Sequence, residues 1–225
     1  MLALVGYVLA VVLCYLLGSI PFGYLIGRMG GIDIRQWGSK NVGATNVARV
    51  LGFRRGVLVF VLDTLKGAAA VGLLGRGFTG WFALNPSLCL VLSGAAVVLG
   101  HTFTCWLQFK GGKGVATALG AWLVLAPIAT LIALAVWILL VAVWRYVSLG
   151  SIVAAVALPC VLVALNYSRL DAVLPHLVFA ILLTVLVIVR HTSNIGRLLK
   201  GTESKARPIF YKAIRSPRPR DFQEK

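Results

Sequence analysis

Three polar segments of this otherwise apolar chain carry residue types that handle anions. The stretch Phe109-Lys110-Gly111-Gly112-Lys113-Gly114 sets two cations among glycines, with long apolar runs on both sides. Glycines let backbone N–H groups approach an anion, and a helix predicted just after the loop adds its own free donors. The pattern predicts a phosphate site in which Lys110, Lys113 and the N–H groups of Gly111, Gly112 and Gly114 take part. Snorkelling of lysines at a membrane surface is the simpler reading of the cations, but it needs no glycine. The segment Gly38-Ser39-Lys40-Asn41-Val42-Gly43-Ala44-Thr45-Asn46-Val47-Ala48-Arg49 gathers hydroxyls, amides and an arginine around small residues. It holds no carboxylate to repel an anion. A polar turn with a helix cap would look the same. The third segment, Arg190-His191-Thr192-Ser193-Asn194-Ile195-Gly196-Arg197, continues to Glu203. His191 and Asn194 share a helix face at that spacing, with Arg197 beside them. His101, in Gly100-His101-Thr102-Phe103, and the short loop with Arg145, Ser148 and Ser151 add to the inventory.

Several chemistries are disfavoured. The lysine loop is not a nucleotide-binding P-loop, because Gly114-Val115 follows its second lysine. Five residues after His101 stands Trp106, and five after His191 stands Gly196, so the His-x-x-x-x-Asp pair of many glycerolipid acyltransferases is missing. No H-E-x-x-H or G-x-S-x-G occurs. Cys14, Cys89, Cys105 and Cys160 form no C-x-x-C pair, which speaks against a zinc site or disulfide framework. Asp63 and Lys66 lie one turn apart in an apolar run and read as an internal ion pair rather than a proton relay.

The elements that must position these residues are membrane spans. The chain has 225 residues, 60% of them hydrophobic, against about 45–50% in soluble domains. Its mean hydropathy is +0.93. Clear apolar runs cover roughly 3–27, 57–75, 87–105, 115–144, 150–166 and 172–190. The net charge of +16 suits a nucleic-acid binder, but residues 28–56, the lysine loop and residues 190–225 hold +14 of it, all beside spans. That is the positive-inside pattern, so no nucleic acid is expected as a partner and these segments are expected in the cytoplasm. Six spans would put residues 28–56 and the basic tail on opposite sides. Pro127 favours a break within 115–144. Splitting that run gives about seven helices, N-terminus outside and C-terminus cytoplasmic, in an all-α integral membrane protein. One long tilted helix and six spans is the alternative. The apolar start without early Lys or Arg reads as a retained span. Residues 1–205 form one transmembrane domain, and 206–225 a basic cytoplasmic tail.

Gly38–Gly52 resembles a G-S-x-N-x-G-A-T-N-x-x-R-x-x-G motif, Gly100–Gly114 resembles G-H-x-F followed by F-K-G-G-K-G, and Arg190–Glu203 resembles R-H-x-x-N-I-x-R-L followed by G-x-E. In this order, over about 190 residues, they resemble the bacterial membrane glycerol-3-phosphate acyltransferases that take acyl phosphate as donor. The resemblance implies transfer of a fatty acyl group to the 1-hydroxyl of glycerol 3-phosphate, giving lysophosphatidate for phospholipid biosynthesis at the inner membrane. It implies no cofactor, no metal and no acyl-CoA. Membrane lipids and a soluble acyl-phosphate-producing enzyme are the implied partners.

The residues suit that chemistry. Acyl phosphate is an activated anhydride whose leaving phosphate can take the hydroxyl proton, so no protein His-Asp pair is required and positioning dominates. Arg49 and Lys113 are expected to bind phosphate, helped by Lys110, Gly111, Gly112 and Gly114. Ser39, Asn41 and Thr45 orient the glycerol phosphate or the acyl carbonyl. His191 and Asn194 position the acceptor hydroxyl or a phosphate, and Arg145, Ser148 and Ser151 close the pocket. Gly43, Asn46, His101 and Arg197 complete the substrate-binding set. A transporter for an organic phosphate is the main rival, but it should carry its polar groups near the bilayer midplane. A structural protein recruiting anionic lipid through its tail would explain the charge but not the lysine loop.

Overall fold

Prolines and glycines cut the apolar runs into helices. The computed structural model describes residues 1–206, so the expected tail lies outside them except for Ala206. Eleven α-helices follow in order: α1 (Leu2–Ser19), α2 (Phe22–Met29), α3 (Ala44–Leu51), α4 (Phe53–Ala69), α5 (Arg76–Trp81), α6 (Pro86–Thr102), α7 (Val115–Leu125), α8 (Pro127–Trp144), α9 (Val147–Leu165), α10 (Leu174–Arg190) and α11 (Thr192–Leu199). Every regular element among the described residues is helical. Prolines stand in the first turns of α6, α8 and α10, where a missing N–H costs nothing. Asn85 caps α6 by accepting the Leu88 N–H at 3.0 Å.

The break expected at Ala126-Pro127 is present between α7 and α8. Five segments are long and apolar enough to cross a membrane: Leu2–Met29, Phe53–Trp81, Pro86–Leu107, Pro127–Trp144 and Val147–Leu165. The α10 and α11 helices, bent by 60° at His191, make a sixth. With 11 residues, α7 reaches about 16 Å, short of the ~30 Å hydrocarbon core. It is not by itself a full-length span, so the segments long enough to cross number five, or six with the bent pair, among the described residues.

Lipid tails are as apolar as leucine, so helices here associate through close packing rather than hydrophobic exclusion. Glycines supply it. A Cβ on Gly18 of α1 would sit 2.2 Å from the Val97 carbonyl oxygen of α6, and one on Gly120 of α7 would sit 1.8 Å from the Thr64 oxygen of α4. The pairs α1–α6 and α4–α7 therefore meet backbone to backbone. Between α4 and α5 the chain widens into a π-turn, Ala70–Gly75. The buried Cys14 and Cys89 thiols donate to the Ala70 and Gly75 carbonyls there, at 3.4 and 3.6 Å. In the core Trp122 stacks on Phe179, with ring centroids 5.2 Å apart. Large apolar side chains of α1, α8 and α10 face outward, as lipid contact requires.

Candidate active site

One cavity of about 540 Å³ joins the polar segments to the apolar interior. Its polar end is walled by part of the 38–49 segment, from Gly38 and Ser39 to Arg49, by His101, Lys113 and Gly114, by Ser148 and Ser151, and by His191, Asn194, Arg197 and Glu203. Its apolar arm runs past Phe60, Leu119, Trp122, Leu134, Trp137, Leu158 and Leu183. Segments far apart in sequence thus meet because the helices carrying them end on the same side of the bundle.

The first segment is a turn stiffened from within. Asn46, 2% exposed, donates from its amide to the carbonyls of Trp37 and Asn41 at 3.0 and 2.9 Å and accepts the Ser39 N–H at 2.8 Å. Asn41 accepts the Gly43 N–H at 2.8 Å in an Asx-turn that starts α3. Asn46 thus holds the turn together and also lines the cavity. Gly43, Asn41, Thr45 and Ser39 all line the cavity, as expected. Arg49, projecting from α3 onto the same wall, makes no ion pair or hydrogen bond among the described residues.

The lysine loop differs from its expected form. The Gly111 N–H donates to the Thr102 carbonyl at 3.1 Å, and the Gly112 N–H to the His101 carbonyl at 3.0 Å. Arg190 donates to the carbonyls of both glycines, at 3.2 and 3.1 Å. Gly111 and Gly112 are buried, and neither lines the cavity. Their N–H groups are therefore spent on the end of α6 instead of facing an anion. The exposed Lys110 also lies off the cavity wall. Lys113 and Gly114 do line it. Gly114 precedes α7 with φ of 82°, a left-handed conformation that suits glycine.

The third segment supplies a tight polar cluster. Lys113 donates to the Asn194 side-chain oxygen. The Asn194 amide donates to Glu203 Oε1 at 2.6 Å, Ser148 Oγ donates to the same oxygen at 2.9 Å, and Arg197 Nε donates to Oε2 at 2.7 Å. Partial burial pushes the Glu203 carboxyl up, but the hydrogen bonds from Asn194, Arg197 and Ser148 outweigh it and hold it below the usual range. Burial lowers the Lys113 ammonium to about 8; Glu203 opposes this, and Arg197, Arg190 and Arg49 add to it. His191, just past α10, is 3% exposed. Its Nδ1 lies 2.8 Å from the Val187 carbonyl, so Nδ1–H donates there and Nε2 keeps its lone pair. Ser151 is engaged by Val147 and Trp137. Arg145, expected at the pocket, is exposed and holds the Ala206 carbonyl at 2.8 Å, off the cavity wall.

One expectation is corrected by tertiary structure. Sequence spacing shows no carboxylate beside a histidine, yet Asp63 of α4 lies 3.4 Å from His101 Nδ1 at the end of α6. A His–Asp pair is present, and both residues line the cavity. Glu203 was likewise read only as a motif residue, although its place after the last helix, among cations, carried the signal. The apolar arm, with Trp122 and Trp137, could not be picked out among so many apolar side chains.

A family model for glycerol-3-phosphate acyltransferase matches residues 8–201. The chain is 50% identical to a glycerol-3-phosphate acyltransferase of Trichlorobacter lovleyi over 192 residues, 85% of this chain and 93% of the relative. It is 46% identical to that of Desulforamulus reducens, over 88% of this chain and 94% of the relative. Among solved structures it resembles PlsY (YgiH), an integral membrane glycerol 3-phosphate acyltransferase, in its glycerol 3-phosphate form. The TM-score is 0.79 at 42% identity, covering 88% of this chain and 94% of the other. The lysophosphatidic acid form of that protein matches with a TM-score of 0.77 at 41% identity.

Proposed function

This chain belongs to the glycerol-3-phosphate acyltransferase family, and from that premise we propose that it acylates the 1-hydroxyl of glycerol 3-phosphate with acyl phosphate as donor. The observation that carries the reading is one cavity whose lining joins the cations Arg49, Lys113 and Arg197 to apolar side chains suited to a fatty chain. Both substrates carry phosphate, and Arg49, Lys113 and Arg197 all stand on the cavity wall. The crystal forms of the PlsY relative, named for glycerol 3-phosphate and lysophosphatidic acid, support the same substrate and product.

The reaction balances without an external base. The glycerol hydroxyl oxygen attacks the acyl carbonyl carbon, the bond from that carbon to the phosphate oxygen breaks, and the departing phosphate accepts the hydroxyl proton. The protein's work is to hold the reactants and to stabilise the developing charge. Arg49 and Lys113 take phosphate. Ser39 and Thr45 orient the glycerol phosphate or the acyl carbonyl. His191, its Nδ1 held by the Val187 carbonyl, accepts from the attacking hydroxyl through Nε2 and sets its direction, with Asn194 held by Glu203. His101 does not serve as the base in this scheme, because its ring faces Asp63 on one side and Gly112 on the other.

We place the cavity mouth on the cytoplasmic face of a bacterial inner membrane, the N-terminus outside, with α7 and α8 as an outward and a returning helix. The clustering of positive charge on the segments around the mouth supports this orientation. Donor supply falls to a soluble enzyme that makes acyl phosphate. The test is acyl transfer by the purified protein in lipid, with labelled glycerol 3-phosphate and either palmitoyl phosphate or palmitoyl-CoA, chelator present. Lysophosphatidate from acyl phosphate alone is expected. Product from the thioester alone would overturn the donor assignment.

A further inference from the structure

The ion pair in α4 has no role in the scheme above, yet it is placed where charge is most costly. Asp63 and Lys66 are 2% and 3% exposed, and their charged atoms lie 2.8 Å apart inside a membrane-spanning helix. Replacing such a pair with apolar side chains of similar volume is often neutral or stabilising, so stability alone is a poor reason to keep it. Each member reaches a different element. Lys66 donates to the Ile20 carbonyl at 2.8 Å, in the break between α1 and α2. Asp63 faces His101 Nδ1 at 3.4 Å, at the end of α6.

The far edge of the His101 ring meets the lysine loop. A Cβ built on Gly112 would fall 2.1 Å from His101 Nε2, so the ring lies flush against that glycine. The Gly112 N–H is also bound to the His101 carbonyl. The loop is thus held from one side by His101, ring and backbone together, and from the other by Arg190. Lys113, the next residue, stands on the cavity wall.

We propose that Asp63 and Lys66 are positioning residues for acyl transfer: the pair fixes the His101 ring against Gly112 and so sets where Lys113 stands in the cavity. Lys66 pairs with Asp63 and anchors it to the α1–α2 break. Asp63, with Oδ1 3.4 Å from His101 Nδ1, in turn biases the tilt of the ring. A buried charge pair serves here as a register device, the role best attested for buried polar groups.

The inference rests on the acyltransferase reading, and the test separates the two. Asp63→Leu with Lys66→Met removes both charges at similar volume. The thermal transition in detergent and kcat/KM for both substrates are measured in this variant, in His101→Asn, and in the triple variant. The expected result is a transition within a few degrees of wild type and at least a tenfold loss of kcat/KM. Combining it with His101→Asn should add less than twofold, because both changes release the same loop. Wild-type kcat/KM in the charge-free variant, or losses that multiply with His101→Asn, would overturn the proposal. Should the charge-free variant not fold, Asp63→Asn is combined with His101→Asn and read by the same additivity criterion. Absence of acyl transfer in the wild-type protein would instead overturn the functional reading itself.

Discussion

The segment 38–49 and the loop 109–114 are both glycine-containing and basic, and sequence assigns them the same task. The structure separates them. In 38–49 the backbone is tied down by Asn41 and Asn46, while Ser39, Thr45 and Arg49 face the cavity. In 109–114 the backbone itself is consumed: two glycine N–H groups and two carbonyls bind other parts of the chain, and only Lys113 and Gly114 reach the cavity. Glycine in the first region shapes a turn that presents side chains. In the second it lets one chain segment lie on another. Close approach to a ligand and close approach to a neighbour select the same residue.

Substitutions can break this contrast, and the largest effect is expected in the loop. Gly112→Ala should lower activity at least a hundredfold, about 2.7 kcal/mol of transition-state stabilisation, since the added methyl collides with His101. Near-normal turnover in that variant would show the loop to be loosely held. Arg49→Ala and Lys113→Ala should each cost at least tenfold, about 1.4 kcal/mol, with little change in the thermal transition. Folded variants with wild-type rates would remove both from phosphate binding. Next comes pH. With Lys113 at about 8 in the free enzyme, its charge is present below that pH and is lost above it. The value of kcat/KM for glycerol 3-phosphate should therefore fall as pH rises through about 8, and Lys113→Arg should abolish that limb even at a lower overall rate. Smallest of all, Lys110→Ala should stay within twofold in the same assay, because Lys110 is exposed and off the cavity wall. A tenfold loss there would restore the loop to the role its sequence suggests.

What sequence made legible were features with local causes. The proline break between α7 and α8 follows from a missing donor, and the polar ends of the spans follow from the cost of burying charge in hydrocarbon. Ser39, Arg49, Lys113, His191 and Asn194 were singled out from residue type and spacing, and the fold brings them to one wall. Features with tertiary causes were illegible. Nothing in the spacing of Asp63 and His101 announces their contact, because two helices must first cross. The N–H groups of Gly111 and Gly112 look free until the end of α6 is in place. Arg145 is taken by the Ala206 carbonyl, a contact made only once the chain returns after α11. The 60° bend at His191 has no proline or glycine beside it in Val189-Arg190-His191-Thr192-Ser193-Asn194 to announce it.

The short α7 has a consequence for where the chemistry happens. Helices α7 and α8 share an end at Ala126-Pro127, but one has 11 residues and the other 18. Taken along parallel axes, Gly114 stops about 10 Å short of the level reached by Trp144. On that alignment Lys113, which precedes Gly114, stands below the level of Trp144. On the proposed reading, the water-soluble substrate would have to pass below the level of Trp144 to meet a lipid-soluble donor. The depth of that descent varies with bilayer thickness, at a fraction of a kcal/mol per Å of mismatch. On the proposed reading, bilayer thickness then bears on how readily the water-soluble substrate arrives.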